Sequence, residues 1–217
     1  MWWSLISDED VVVNLVTTYG MTGQWRPGVE RHSAYVLYLN DTGDVRDTQT
    51  SWSFHDPRHF GTVAWLTGTE LTRRLRRLGP CVLTSQIDIG IFAERVLNKP
   101  WTPICEVLLD QSALAGVGNY MRAEILRRSL VDPWKAAGDL TADQMSTLHR
   151  ETLAVARESY EAGGSTIESF ESPDGSKGGF SERFLAYGRK TDPEGNEVVR
   201  RRDANGRTVH WCPAVQI

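Results

Sequence analysis

The chain has 217 residues, 40% of them hydrophobic, and a formal net charge of -4 at pH 7. That is enough for one sizeable core or two small ones, and it is the wrong sign for a protein that coats nucleic acid by bulk charge. No apolar stretch is long enough to span a bilayer, and the start "MWWSLISDED" lacks the basic residues and apolar core of a signal peptide, so a soluble, cytosolic protein is expected.

Residues 1 to about 66 read as strands. "WWSLIS", "VVVNLVTTYG", "SAYVLYLN" and "SWSFHD" are β-branched and aromatic, and "RPG", "NDTGD" and "DPRHFG" punctuate them. "ELTRRLRRLGP" is helical, with Leu71, Leu75 and Leu78 on one face and four arginines around the rest. From about 88 to 163 the pattern is helical throughout. "IGIFAERVL" stops before Pro100, "TPICEVLLDQ" starts with Thr and then Pro, and "GNYMRAEILRRSLV" ends before Pro133. Thr141 and Gln144 form a capping box for a long helix that stops at Gly163-Gly164.

The Gly/Ser-rich stretch after 164 reads as a mobile loop. Two short strands follow, "RFLAYGR" or "NEVVRRR" and then "RTVHWCP", joined by "DANG", in which Asn205-Gly206 is a hairpin signal.

Chemistry concentrates in a few places. Cys81, Cys105 and Cys212 lie far apart with no CxxC pair, which points to reduced thiols. Of the 24 basic residues only Lys99, Lys135, Lys177 and Lys190 are lysine. The arginine bias suits bidentate contacts to carboxylate or phosphate, although GC-rich codon usage produces it equally. Between Arg183 and Arg207 seven basic and four acidic residues give a local net of +3, so an anionic partner is expected there. The junction "AGVGNYMRAEIL" places Gly116 and Gly118 before a helix starting near Asn119. Free backbone N-H groups at such a start can hold a phosphate, with Asn119 as cap and second donor. The alternative is a helix-helix turn that needs glycine only for packing.

"LLDQSALAGVGNYMRAEILRRSLVDPW" resembles the helix-two-turn-helix segment of the formamidopyrimidine-DNA glycosylase and endonuclease VIII family, whose pattern is LLDQ, a GxGN turn, then ADEIL and a downstream Pro. The likeness continues in order through "YGMTGQW", His32, "DPRHFG", "LGP", "GGF" at 178, "AYGR" at 186 and "GRTVHWCPAVQ" at 206. It implies an α+β fold in two lobes: a partial N-terminal β-sandwich over 1–80, a helical domain with the helix-two-turn-helix over 81–170, and a lid loop with a C-terminal β-hairpin finger over 171–217.

The family excises oxidised bases from duplex DNA by flipping the damaged nucleotide, then cuts the abasic site. By resemblance, Asn119 and Arg207 clamp the phosphates beside the lesion, with Gly116 and Gly118 shaping the turn. Met21, Arg58 and Phe60 fill the gap left by the extruded base and probe the opposite strand. Core packing is the alternative for Met21 and Phe60. Residues 171 to 180 correspond to a lid over the flipped base.

Two departures matter. The family's Pro-Glu start, whose amine attacks the sugar C1′, has no counterpart before Trp2-Trp3, so no catalytic residue is identifiable. The four lysines are the remaining candidates for a Schiff base, and a partner is expected to cover the edge of a shortened sandwich. The finger's four zinc-cysteine positions fall near Thr191, Glu194, Cys212 and Val215. With one thiolate, even beside His210, no zinc and no other cofactor are expected. Three readings remain open: a glycosylase and abasic-site lyase bound to damaged duplex DNA, a non-catalytic DNA-binding relative, and a structural nucleic-acid-binding protein that uses only the helix-two-turn-helix.

Overall fold

A computed structural model describes residues 2–6, 12–19, 23–29, 31–39, 50–165 and 178–217. They fall into two compact units, one of Met1–Leu75 with Thr166–Gly178 and the other of Arg76–Ser165 with Gly179–Ile217.

The first unit is a β-sandwich. β1 (Trp2–Ile6), β2 (Val12–Thr18) and β6 (Thr62–Leu66) form one antiparallel sheet in the order β1-β2-β6. β3 (Gln24–Pro27), β4 (Ser33–Leu39) and β5 (Thr50–His55) form the other in the order β3-β5-β4. Leu15, Trp25 and Phe54 are buried at its centre, and Trp3, Leu5, Tyr19, Leu37, Trp52 and Val63 pack around them. Aromatic contacts carry this core: the Trp25 ring lies 5.0 Å from Trp3 and 5.3 Å from Phe54, within the range where tilted ring pairs attract.

Phe54 also explains two glycines. A Cβ on Gly23 would lie 2.7 Å from the Phe54 ring, and one on Gly61 2.6 Å from it. Positions 23 and 61 therefore take only glycine beside this ring. Helix α1 (Gly68–Leu75) completes the unit. It starts earlier than the leucine spacing predicts because Thr67 and Glu70 form a reciprocal cap: the Thr67 N-H donates to Glu70 Oε2 at 2.9 Å, and the Glu70 N-H to Thr67 Oγ1 at 3.3 Å.

The second unit is built on four helices: α2 (Ile89–Leu97), α3 (Ile104–Val107), α4 (Asn119–Ser129) and α5 (Ala142–Glu161). The sequence signals place α2 and α5 correctly. Asp88 caps α2 by accepting the Ile91 N-H at 2.8 Å, and the Thr141–Gln144 capping box is present on α5. α3 is a correction, since "TPICEVLLDQ" yields one turn with Pro103 as its N-cap. The Asp110 carboxylate takes the N-H and hydroxyl of Ser112 at 2.8 and 2.7 Å, and such local capture competes with a continuing helix.

α4 packs on α5 through a two-pronged ion pair, with Arg128 Nη1 and Nη2 each 2.9 Å from a Glu158 oxygen. The finger is the hairpin β7 (Val199–Arg202) and β8 (Thr208–Trp211), turned at Gly206 with φ +76. "RFLAYGR" is not a strand. Phe180–Arg183 form a 3₁₀ turn, and buried Glu124 of α4 accepts the N-H groups of Leu185, Ala186 and Tyr187 at 2.6, 3.0 and 2.9 Å. Those donors are unavailable to a sheet. Among the described residues no helix is long and apolar enough to cross a membrane.

Candidate nucleic-acid interface

The turn before α4 is held by one glutamine. Gln111 Oε1 accepts the Gly116 N-H at 2.9 Å, while Nε2 donates to the carbonyls of Leu109 and Val117 at 3.1 and 3.0 Å. Gly116 has φ +103, and a Cβ there would lie 3.3 Å from Val82 Cγ2, so glycine is needed on both counts. Gly79 donates its N-H to the Gln111 carbonyl at 2.8 Å. A Cβ on Gly79 would stand 2.3 Å from the Ala113 oxygen. Sequence reasoning singled out Gly116 and Gly118 but gave Gln111 and Gly79 no role in the turn; the recurring LLDQ was the available signal for Gln111.

At the start of α4 the structure corrects one expectation. Gly118, extended at φ -103 and ψ 177, is the N-cap, and no side chain caps the helix. Asn119 lies inside the first turn because its side chain is engaged elsewhere. Its Oδ1 accepts Arg122 Nη2 at 2.6 Å, and its Nδ2 donates to the Thr208 carbonyl at 3.2 Å. A Cβ on Gly118 would meet nothing within 4 Å. Among the described residues nothing therefore crowds Gly118, and the positive end of the helix carries no side-chain cap.

Arg122 is fully buried, with its side chain 1% exposed. Nη1 donates to Asp203 Oδ2 at 2.6 Å and to the Cys105 carbonyl at 3.2 Å, and Nη2 also reaches the Thr208 carbonyl at 3.1 Å. Asp203 Oδ1 accepts the N-H groups of Asn205 and Arg207 at 3.0 and 2.8 Å, which shapes the hairpin turn. Burial alone would raise the Asp203 carboxyl. The hydrogen bonds from Arg122 and the Arg207 and Asn205 backbone, with the Arg122 charge, outweigh burial and hold it below its usual value.

Arg207 itself is exposed. It lines an open groove of about 680 Å³ with Lys99, Thr102, Glu106, Leu109, Asp110 and Asn205. Asn119 lines a neighbouring hollow of about 490 Å³ with Tyr187, Thr208, His210 and the Arg200–Arg202 run. The Asn119 amide touches the Thr208 carbonyl, and Arg207 is the residue before Thr208 in the chain, although the two side chains line different hollows. Within the run, Arg200 donates to the Gly188 carbonyl at 3.0 Å, and Arg201 stands 4.5 Å over the Trp134 ring. Burial, then the charges of Arg200 and Arg122, lowers His210 to about 4, so its ring is neutral at pH 7.

The other predicted residues divide as follows. Phe60 is 57% exposed, which removes the core-packing alternative, and the Arg58 guanidinium lies 5.1 Å from its ring. Both belong to the first unit, whereas Asn119 and Arg207 belong to the second. Met21, Lys177 and residues 171–177 of the lid segment lie outside the described residues. Lys99 is paired with Asp110, Lys135 donates to Gln144 Oε1 at 3.1 Å, and Lys190 is exposed.

The residues at the family's zinc positions do not fit a zinc ion. Thr191 and Val215 offer no thiolate, and Glu194 is bound to Arg127 Nη2 at 2.7 Å. Burial, then the Asp192 carboxylate, pushes the Cys212 thiol up to about 11. Among the described residues no group of three or more His, Cys, Asp or Glu is arranged to hold a metal. Polar contacts do the fastening instead. Asp192 accepts from Arg127 Nε and Nη2 at 3.1 and 2.7 Å and from the Asn196 backbone at 2.7 Å. Gln216 spans from the Cys212 N-H at 2.7 Å to the Val131 carbonyl at 2.9 Å.

Residues 78–171 match the family model for the formamidopyrimidine-DNA glycosylase H2TH domain. The chain is 36% identical over 211 residues to a formamidopyrimidine-DNA glycosylase of Thermus thermophilus, covering 94% of this chain and 75% of the relative. It is 34% identical over 208 residues to one of Rhizorhabdus wittichii, covering 93% and 74%. The crystal structure of the MutM (Fpg) protein from Thermus thermophilus superposes with a TM-score of 0.81 at 35% identity, over 94% of this chain and 76% of that one. A Lactococcus lactis Fpg in complex with DNA containing an abasic site shares the fold, with a TM-score of 0.78 at 24% identity, over 94% and 75%. The chain belongs to the formamidopyrimidine-DNA glycosylase family.

Proposed function

We propose that this chain is a base-excision repair glycosylase of oxidised bases and that its second unit grips the backbone of damaged duplex DNA through Asn119 and Arg207. The observation that carries the reading is the junction at Thr208. An amide whose oxygen is held by Arg122, an exposed guanidinium on the residue before Thr208 and a helix start with no side-chain cap are suited to phosphate oxygens. Membership of the family supports it. On this reading Met21, Arg58 and Phe60 engage the duplex where the base leaves. An exposed apolar ring and a guanidinium suit wedging and base-edge contact. The protein then works in the cytoplasm, alongside the nucleoid.

The same proposal includes a partner over the edge strand β1, where Trp3, Leu5, Leu37, Leu39 and Trp52 line an apolar hollow of about 570 Å³. A monomer in sedimentation that binds no hydrophobic dye would remove that element.

The function is tested on duplexes identical except for one oxidised guanine or one abasic-site analogue. Fluorescence anisotropy is expected to show tighter binding to the damaged duplexes, and release of the oxidised base from the lesion strand is expected on incubation. Equal affinity for intact and damaged DNA, with no base released, contradicts the reading.

A further inference from the structure

We propose that Arg122 and Asp203 are positioning residues for the phosphate clamp, a buried pair that makes Asn119 and Arg207 act as one unit. The inference rests on the DNA-binding reading above and deepens it.

Arg122 Nη1 and Nη2 reach four oxygens, on Asp203, Cys105, Asn119 and Thr208, all within 3.2 Å. A guanidinium 1% exposed and directed wholly at protein atoms does not itself reach a ligand. Its charge instead decides the orientation of Asn119. A cationic donor selects the amide oxygen, so Nδ2 must point away from Arg122. One of its two N-H bonds is taken by the Thr208 carbonyl at 3.2 Å. The other has no partner among the described residues, and Asn119 lines a hollow together with Arg202 and His210.

Asp203 performs the matching task on the finger. One carboxylate oxygen receives Arg122, and the other receives the N-H of Arg207. The backbone of the residue that presents the exposed guanidinium is thereby fixed to the same ion pair that fixes the amide. Stability alone is a weak reason for such a pair, because apolar residues of equal volume commonly match or exceed a buried ion pair. Holding two donors from distant parts of the chain at one spacing is what the pair does that apolar packing would not.

The sign of the expected effect makes the inference testable. Asp203 is an acidic residue beside a proposed DNA-binding surface, so removing it should strengthen binding if only its charge mattered. The positioning role predicts the opposite. With the 217-residue chain and a duplex carrying an abasic-site analogue, Arg207→Ala is expected to weaken binding about tenfold. It should also reduce the slope of log affinity against log salt by about 0.9. Asp203→Ala is expected to do the same, and Asp203→Ala with Arg207→Ala to bind no more weakly than Arg207→Ala alone. Arg122→Ala and Asn119→Ala should be non-additive in the same way, with Arg122→Lys only partly restoring affinity because it loses the forked geometry.

Thermal denaturation identifies any variant that fails to fold. Asp203→Asn, which keeps the acceptor for the Arg207 N-H while losing the charge on the pair, then takes the place of Asp203→Ala and is expected to bind more weakly than the parent. Binding by the Asp203 variant as tight as or tighter than the parent, or losses that multiply with Arg207→Ala, overturns the positioning role while the clamp stands. No change on Arg207→Ala and Asn119→Ala themselves overturns the clamp, and the inference falls with it.

Discussion

Arg122 and Arg127 stand five residues apart on α4 and fasten the turns at the two ends of β7 by the same device. Each guanidinium meets a buried carboxylate, Asp203 or Asp192, that also accepts backbone N-H groups of its own turn. The turns differ in what they present. At Asp192 the charges are consumed internally, with Glu194 returning to Arg127 and Asn196 Nδ2 donating to Asp192 Oδ2. At Asp203 the turn carries an exposed Arg207, one residue before the Thr208 carbonyl that Asn119 touches. One motif thus serves as a fastener at the first place and, on the reading above, as a sight for ligand groups at the second. Burial and pairing alone do not distinguish a structural ion pair from a functional one; the groups left unpaired around it do.

The largest effect is expected where the fastener is cut. Asp192→Ala leaves Arg127 without its buried partner and is expected to destabilise the second unit by about 3–5 kcal/mol, read by chemical denaturation. At temperatures where the variant is folded, its DNA salt slope should match the parent, and a changed slope would make Asp192 part of the clamp.

Acid should act on both turns. Burial would raise the Asp192 carboxyl, but hydrogen bonds from Asn196 and Arg127 hold it far below the usual carboxylate range, and Asp203 is also depressed. A depressed folded-state pKa contributes stability that is present above the unfolded value, near 3.9, and is lost as pH falls through the folded one. The melting temperature is therefore expected to fall below about pH 4, and less steeply in Asp192→Asn.

Two glycines sharpen the comparison further. Gly116→Ala meets Val82 and a positive φ and should cost about 1–2 kcal/mol. Gly118→Ala meets no atom of the described residues and should cost only about 0.5–1 kcal/mol, as a poorer N-cap, while weakening DNA binding through the methyl group added at the helix start. The smallest effect concerns metal. Chelation is expected to change neither melting temperature nor DNA affinity, and stoichiometric zinc in purified protein would contradict the polar fastening of the finger.

Much of the fold was legible because its signals are local. The capping box of α5, the stop of α2 before Pro100 and the Asn205-Gly206 turn each depend on residues a few positions apart. What was missed depends on distant partners. Asn119 reads as a helix cap until Arg122 and Thr208 claim its side chain, the latter 89 residues away. "AYGR" reads as strand until Glu124 takes its N-H groups from about 60 positions upstream. Arg122 carried no signal at all, since an arginine on a helix is ordinarily solvated and its carboxylate lies 81 residues on. The family resemblance named the clamp residues but not what orients them.

The account stands on Asn119 and Arg207 touching DNA phosphate, and affinity measured across a salt series tests this most directly. Replacing Arg207 by Ala is predicted to weaken binding to a lesion duplex and lower the salt slope by about 0.9, and replacing neutral Asn119 by Ala to weaken it with the slope kept. Parental affinity and slope in both variants would contradict the account.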